Sequence, residues 1–139
     1  MIDTVHVVLD TETTGLSPEK DRVVEIGAIK LINKKPVEKF HCYINPGRSI
    51  SKEAEKVHGI TDDFVRDKPS FAEIQDAFLL FIDRAKLVIH NASFDVGFLD
   101  AELARNGKAL CVKDICEVED TLMMVRKMSL RTLTNLPMV

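Results

Sequence analysis

Three β-rich segments, Val5 to Glu12, Val23 to Ile32 and Glu38 to Asn45, follow one another with only the turn-rich stretches GLSPEKD and NKKP between them. Connections that short cannot carry a parallel crossover, so the segments are expected to form an antiparallel meander. The pattern then changes. A short helix is predicted near Ser51 to Val57, stopping at Gly59, and a longer one from Phe71 to about Ala85. In the longer one Ser70 and Glu73 have capping-box spacing, and Phe71, Ile74, Phe78, Phe81 and Ile82 form one apolar stripe. KLVIHN reads as a buried strand and FDVGFLDAELARNG as a helix terminated by Asn106 and Gly107 in left-handed conformation. A last strand near Ile115 to Glu119 and a helix from Thr121 to about Met128 complete the prediction. The expected fold class is α/β: a mixed sheet in which parallel strands extend the meander, with flanking helices.

A chain of 139 residues, 45% of them hydrophobic, fits one globular domain with its own core. Its apolar runs are far shorter than the roughly 20 residues that span a bilayer, and no charged-then-apolar leader opens it. No membrane association and a cytoplasmic location are expected. Cys42, Cys111 and Cys116 lack the companions of a zinc tetrahedron and are expected to be reduced thiols. A net charge of −3 disfavours a broad basic face that tracks duplex DNA, so any nucleic-acid contact should be short and local.

The first strand ends in DTETTGLS. On extended backbone Asp10 and Glu12 share a face, roughly 6.5 to 7 Å apart, while Thr11 points the other way. Carboxylates that close stay ionised together when a cation lies beside them, and an all-oxygen site suits Mg²⁺ or Mn²⁺. Gly15 would let the chain turn sharply and bring N–H groups near a bound anion. A second acidic element, VIHNASFD, ends another strand and places Asp95 at the opening of a helix; strand ends of an α/β sheet gather at one rim, where Asp95 can join the pair. Plain structural roles also fit each piece. The acid pair can face water before a loop, Asp95 and His58 can complement helix dipoles, His90 and Asn91 can satisfy loop backbone, and Phe94 can be core.

Together LDTETTGL and HNASFDVGFL resemble the first two motifs of the DEDD-type (DnaQ-like) 3′→5′ exonucleases. VVEIGAI, VHGI, KPSFAEI and EDTLMMVRKM extend the likeness, in order and spacing, to the branch formed by the proofreading epsilon subunits of bacterial DNA polymerase III. The resemblance covers about residues 5 to 128. It implies a ribonuclease H-like fold and two-metal hydrolysis that releases mismatched 3′-terminal nucleotides as 5′-monophosphates. Asp10, Glu12 and Asp95 would be the catalytic metal ligands for two divalent ions, Mg²⁺ or Mn²⁺. Glu12, Thr13, Gly15, Leu16, Glu53, His58, His90, Asn91 and Phe94 would contact the 3′ end of single-stranded or frayed DNA. The polymerase III catalytic subunit is the partner the family implies.

The family's third motif supplies a histidine base and, five residues later, a fourth acid. No histidine follows His90 and no acid follows Asp120. Residues 1–128 are therefore expected to form an incomplete exonuclease domain lacking its last catalytic helix, and 129–139 an atypical tail left by truncation or frame disruption. Impaired activity follows, since general-base catalysis is worth about 10² to 10⁴-fold. RNA trimming by the same fold, a non-catalytic interaction domain, and an aspartyl-phosphate phosphatase using Asp10 as nucleophile are the rival readings. The last would want an aspartate where Glu12 stands and a downstream lysine.

Overall fold

The computed structural model describes residues 3–122, which form a five-stranded sheet in the order β3-β2-β1-β4-β5. Strands β1 (Val5–Thr13), β2 (Val23–Ile32) and β3 (Lys35–Tyr43) pair antiparallel, while β4 (Lys86–Ile89) runs parallel to β1 and β5 (Glu117–Asp120) runs parallel to β4. This is the meander extended by parallel strands that the sequence predicts. Alternation along β1 turns Val7, Leu9, Thr11 and Thr13 into the protein and leaves Asp10 exposed.

The β2–β3 connection is tighter than predicted. Asn33 and Lys34, both at positive φ, make a two-residue hairpin turn, so β3 begins at Lys35 rather than Glu38 and ends at Tyr43 rather than Asn45. Pro36 is accommodated because β3 is an edge strand, next to a register irregularity at Lys30 and Leu31.

Helix α1 (Lys52–His58) starts at a Ser51 cap and stops at left-handed Gly59. A single turn, α2 (Asp62–Val65), follows from a Thr61 cap that the sequence reading missed. The capping box of Ser70 and Glu73 opens α3 (Phe71–Ile82), whose Phe71, Phe78, Phe81 and Ile82 are buried, with Ile74 packed at the margin. Helix α4 (Ala92–Arg105) begins before the predicted Phe94, because Asn91 turns left-handed straight after β4. At its far end Gly107 is left-handed as expected but Asn106 is not. A short α5 (Val112–Ile115) precedes β5, which starts at Glu117 instead of Ile115.

The main core lies between the sheet and helices α3 and α4, around Val7, Leu9, Ile26, Phe78, Leu87, Phe98 and Leu99. The three cysteines are free. Among the described residues no helix is long and apolar enough to cross a membrane. The tail expected over 129–139 and most of the helix expected from Thr121 to Met128 lie outside the described residues, as does any third-motif helix.

Candidate active site

The C-terminal ends of β1 and β4 open side by side into a cleft of about 390 Å³. Strand β1 and the bend after it contribute Asp10, Thr11, Glu12, Thr13, Gly15 and Leu16; α1 contributes Glu53, Ala54, Val57 and His58; the β4–α4 turn contributes His90 and Asn91; α4 contributes Phe94 and Asp95. Every residue that the sequence singled out for the site therefore lines one cavity. Thr11, Ser51, Ala54 and Val57 line it as well and were not foreseen.

The acids reach the cleft from two directions. Asp10 and Glu12 lie on one face of β1, whereas Asp95 approaches the opposite face and accepts a hydrogen bond from the Thr11 hydroxyl. Burial pushes the Asp95 carboxyl up to about 6, against the Thr11 bond that lowers it, and the charge of Asp10 adds to the rise. Glu12 is raised first by desolvation and then by Asp10. Asp10, although solvent-accessible, is also raised, mainly because neighbouring protein displaces water from it.

These donors are carboxylate oxygens, the chemistry that hard divalent cations select. All three carry a charge whose surroundings oppose it, which a cation beside them would offset. Among the described residues, however, no three His, Cys, Asp or Glu side chains form a ready-made metal cage. The donor set fits a divalent ion in kind, without being preassembled.

His58 is pinned rather than free. Its Nδ1 accepts the Ile60 N–H at 3.0 Å, so Nε2 carries the proton and donates to the Thr13 carbonyl at 3.0 Å. The ring is thus a neutral bracket between α1 and the end of β1, not the dipole-stabilised imidazolium that its place at a helix end suggests. Phe94 packs on Phe98 with ring centroids 4.9 Å apart. Leu16 and Val57 are 83% and 81% exposed, which leaves two apolar side chains for a ligand at the edges of the cleft.

Gly15 is needed for space. It has no left-handed φ; a Cβ there would lie 2.5 Å from Asp21 Oδ2. The Asp21 carboxylate accepts from Thr14 Oγ1 at 2.9 Å and from the Ser17 N–H at 3.1 Å, so these two loop donors are satisfied within the protein.

Behind the cleft, Glu102 is fully buried and accepts from Arg22 Nε and Nη2 at 2.8 and 2.5 Å and from the Val23 N–H at 3.0 Å. Arg105 Nη2 donates to the carbonyls of Pro18 and Glu19. Helix α4 is thereby tied to the loop that follows the acids. The sequence did hold a signal for this: Glu102 stands seven residues after Asp95, inside the apolar stripe of α4, where an acid needs a partner. Glu25 is a second omission. It is the cross-strand partner of Glu12 and its carboxylate lies 2.6 Å from His41 Nε2, at hydrogen-bond distance, which gives that histidine a contact the sequence did not suggest.

A mixed sheet with two carboxylates at the end of its central strand and a third on a crossover helix defines an α/β domain with an acidic cleft at its strand ends. The exonuclease family model (RNase_T) matches residues 7–137, and the chain belongs to this family. It is 46% identical over 129 residues to the DNA polymerase III subunit epsilon of Buchnera aphidicola subsp. Schizaphis graminum, covering 88% of this chain and 55% of that one. With the Escherichia coli K12 DNA polymerase III subunit epsilon it shares 44% identity over 137 residues, covering 90% of this chain and 54% of that one. The chain spans about half the length of the curated relatives it matches. Among solved structures, exonuclease I without ligand superposes with a TM-score of 0.79 over 88% of this chain and 30% of that chain, at 21% identity, a likeness of fold.

Proposed function

We propose that this chain is the exonuclease part of an epsilon-type proofreading subunit, removing nucleotides singly from the 3′ end of single-stranded or frayed DNA. One observation carries the reading. Segments far apart in sequence, the end of β1, α1 and the β4–α4 turn with the first turn of α4, bring the candidate site residues to one cleft floored by three carboxylates. The relatives named epsilon subunits support the DNA substrate and a polymerase III catalytic subunit as partner.

Asp10, Glu12 and Asp95 would hold two divalent ions, Mg²⁺ or Mn²⁺. Such ions supply an activated water and stabilise the departing 3′ oxygen. The protein's own contribution is positional. Leu16 and Val57 offer apolar faces to a terminal base, Phe94 backs the floor, and His58 holds the Thr13 carbonyl in place. Glu53 faces the cleft from α1, where it can accept a hydrogen bond from the terminal sugar.

Hydrolysis by these 139 residues alone is expected to be slow, because they contain neither the third-motif histidine nor its acid. Equilibrium Mn²⁺ binding followed by electron paramagnetic resonance tests the reading without relying on turnover. Saturable binding by the chain that is lost in Asp10→Ala and Asp95→Ala is expected; equal binding by all three would refute it. Competition between DNA and RNA oligonucleotides of one sequence separates proofreading from RNA trimming.

A further inference from the structure

The wall of the cleft formed by His90 and Asn91 is held from outside the two acidic motifs, by the first residues of the EDTLMMVRKM segment. Parallel pairing of β4 with β5 sets Asp120 level with Ile89. From there the Asp120 carboxylate reaches past His90, and its Oδ1 accepts the N–H of Asn91 at 3.0 Å and that of Leu122 at 2.9 Å. The next residue, Thr121, places Oγ1 3.0 Å from Nδ1 of His90. Two consecutive residues at the end of β5 thus grip two consecutive residues at the end of β4.

The grip falls on a backbone that needs it. Asn91 has φ 61° and ψ 56°, a left-handed conformation that costs a non-glycine residue energy and persists where neighbours over-determine it. It occupies the N-cap position of α4, yet its side chain makes no capping bond. The amide side chain is therefore not spent on the helix, and Asn91 lines the cleft. Occupation of His90 Nδ1 by Thr121 likewise leaves Nε2 for the cleft.

We propose that Asp120 is a positioning residue, with Thr121 as its adjunct, that fixes the His90–Asn91 wall against which the terminal nucleotide is bound. The inference deepens the nucleotide-binding reading above and rests on it for the identity of the ligand. The clamp itself does not depend on that reading. An account in which Asp120 only stabilises the sheet edge predicts something different: its loss should then act on the cleft no more than any other loss of stability.

The test compares the parent chain with Asp120→Ala, Asp120→Asn and Thr121→Val. Val112→Ala, a fully buried valine that does not line the cleft, serves as the control for stability. Amide hydrogen exchange at Asn91 and Leu122 is the first readout, and the dissociation constant for thymidine 5′-monophosphate in Mn²⁺ is the second. Asp120→Ala should speed exchange at both amides at least tenfold beyond Val112→Ala and weaken nucleotide binding about tenfold. Asp120→Asn retains an acceptor oxygen and should stay within about threefold of the parent. Thr121→Val should alter the His90 ring nitrogen shifts while leaving Asn91 protected. Retained protection of Asn91 in Asp120→Ala, or identical behaviour of Asp120→Ala and Val112→Ala, would overturn the proposal. If the parent binds no nucleotide, the reading of function falls, and the exchange data still decide for or against the clamp.

Discussion

The Thr11 hydroxyl donates to Oδ1 of Asp95, a residue 84 positions away, and so joins the strand between the two β1 acids to the first turn of α4. Thr11 points away from Asp10 and Glu12, and that opposite orientation is what brings the third carboxylate in beneath the pair. Replacing Thr11 with valine keeps the shape and removes the bond. The buried Asp95 carboxylate then loses its partner, at a cost of about 1–3 kcal/mol. Urea unfolding should show this loss in EDTA, and Mn²⁺ affinity should fall with it.

Asp95 itself opposes folding when ionised. Its carboxyl is raised in the folded chain to about 6 from an ordinary value of 3.8, so its own contribution to stability is most favourable below the lower value and is lost as pH rises through the upper one. The penalty at neutral pH is on the order of 2–3 kcal/mol. In EDTA at pH 7.5, Asp95→Asn should therefore melt at a higher temperature than the parent, and the advantage should shrink as pH approaches 4. A destabilised Asp95→Asn at pH 7.5 would contradict this.

Gly15 abuts the Asp21 carboxyl group, which a new Cβ would approach within 2.5–2.7 Å. Gly15→Ala should cost about 1–3 kcal/mol and displace Leu16 from the cleft. In an Asp21→Ala background the same substitution should cost less than half as much, a coupling that a double-mutant cycle measures directly.

Arg22→Ala leaves Glu102 fully buried, with only the Val23 N–H and a 3.6 Å contact to Arg105 to support its charge. Loss of about 3–5 kcal/mol is expected. Chemical denaturation measures it, and a loss under 1 kcal/mol would show that the clamp contributes little to holding α4.

Much of this architecture was legible because it is periodic or local. Alternation in β1, the apolar stripe of α3 and the box formed by Ser70 and Glu73 each repeat or close within a few residues. Most of the cleft residues were legible through motif resemblance, though not Thr11, Ser51, Ala54 and Val57, and the end of β1, α1 and α4 bring them together. The remainder depends on pairs distant in sequence. Arg22 meets Glu102 across 80 positions and Asn91 meets Asp120 across 29, and no periodicity announces such contacts. The turn within NKKP was drawn too wide because neither Asn33 nor Lys34 is a glycine, and the single turns α2 and α5 are too short to show a stripe. His58 illustrates another limit: its protonation is set by Ile60 and Thr13 together, and only the first is a sequence neighbour.

The most direct test of the central claim is single-turnover digestion, in Mn²⁺, of a 5′-labelled DNA primer carrying a 3′ mismatch, by this chain and by its Asp10→Ala variant. Slow, stepwise shortening from the 3′ end by the parent, abolished by Asp10→Ala and by EDTA, is the predicted result. Shortening that persists in Asp10→Ala, or no shortening by the parent at any Mn²⁺ concentration, would contradict the assignment of this cleft as a metal-dependent exonuclease site.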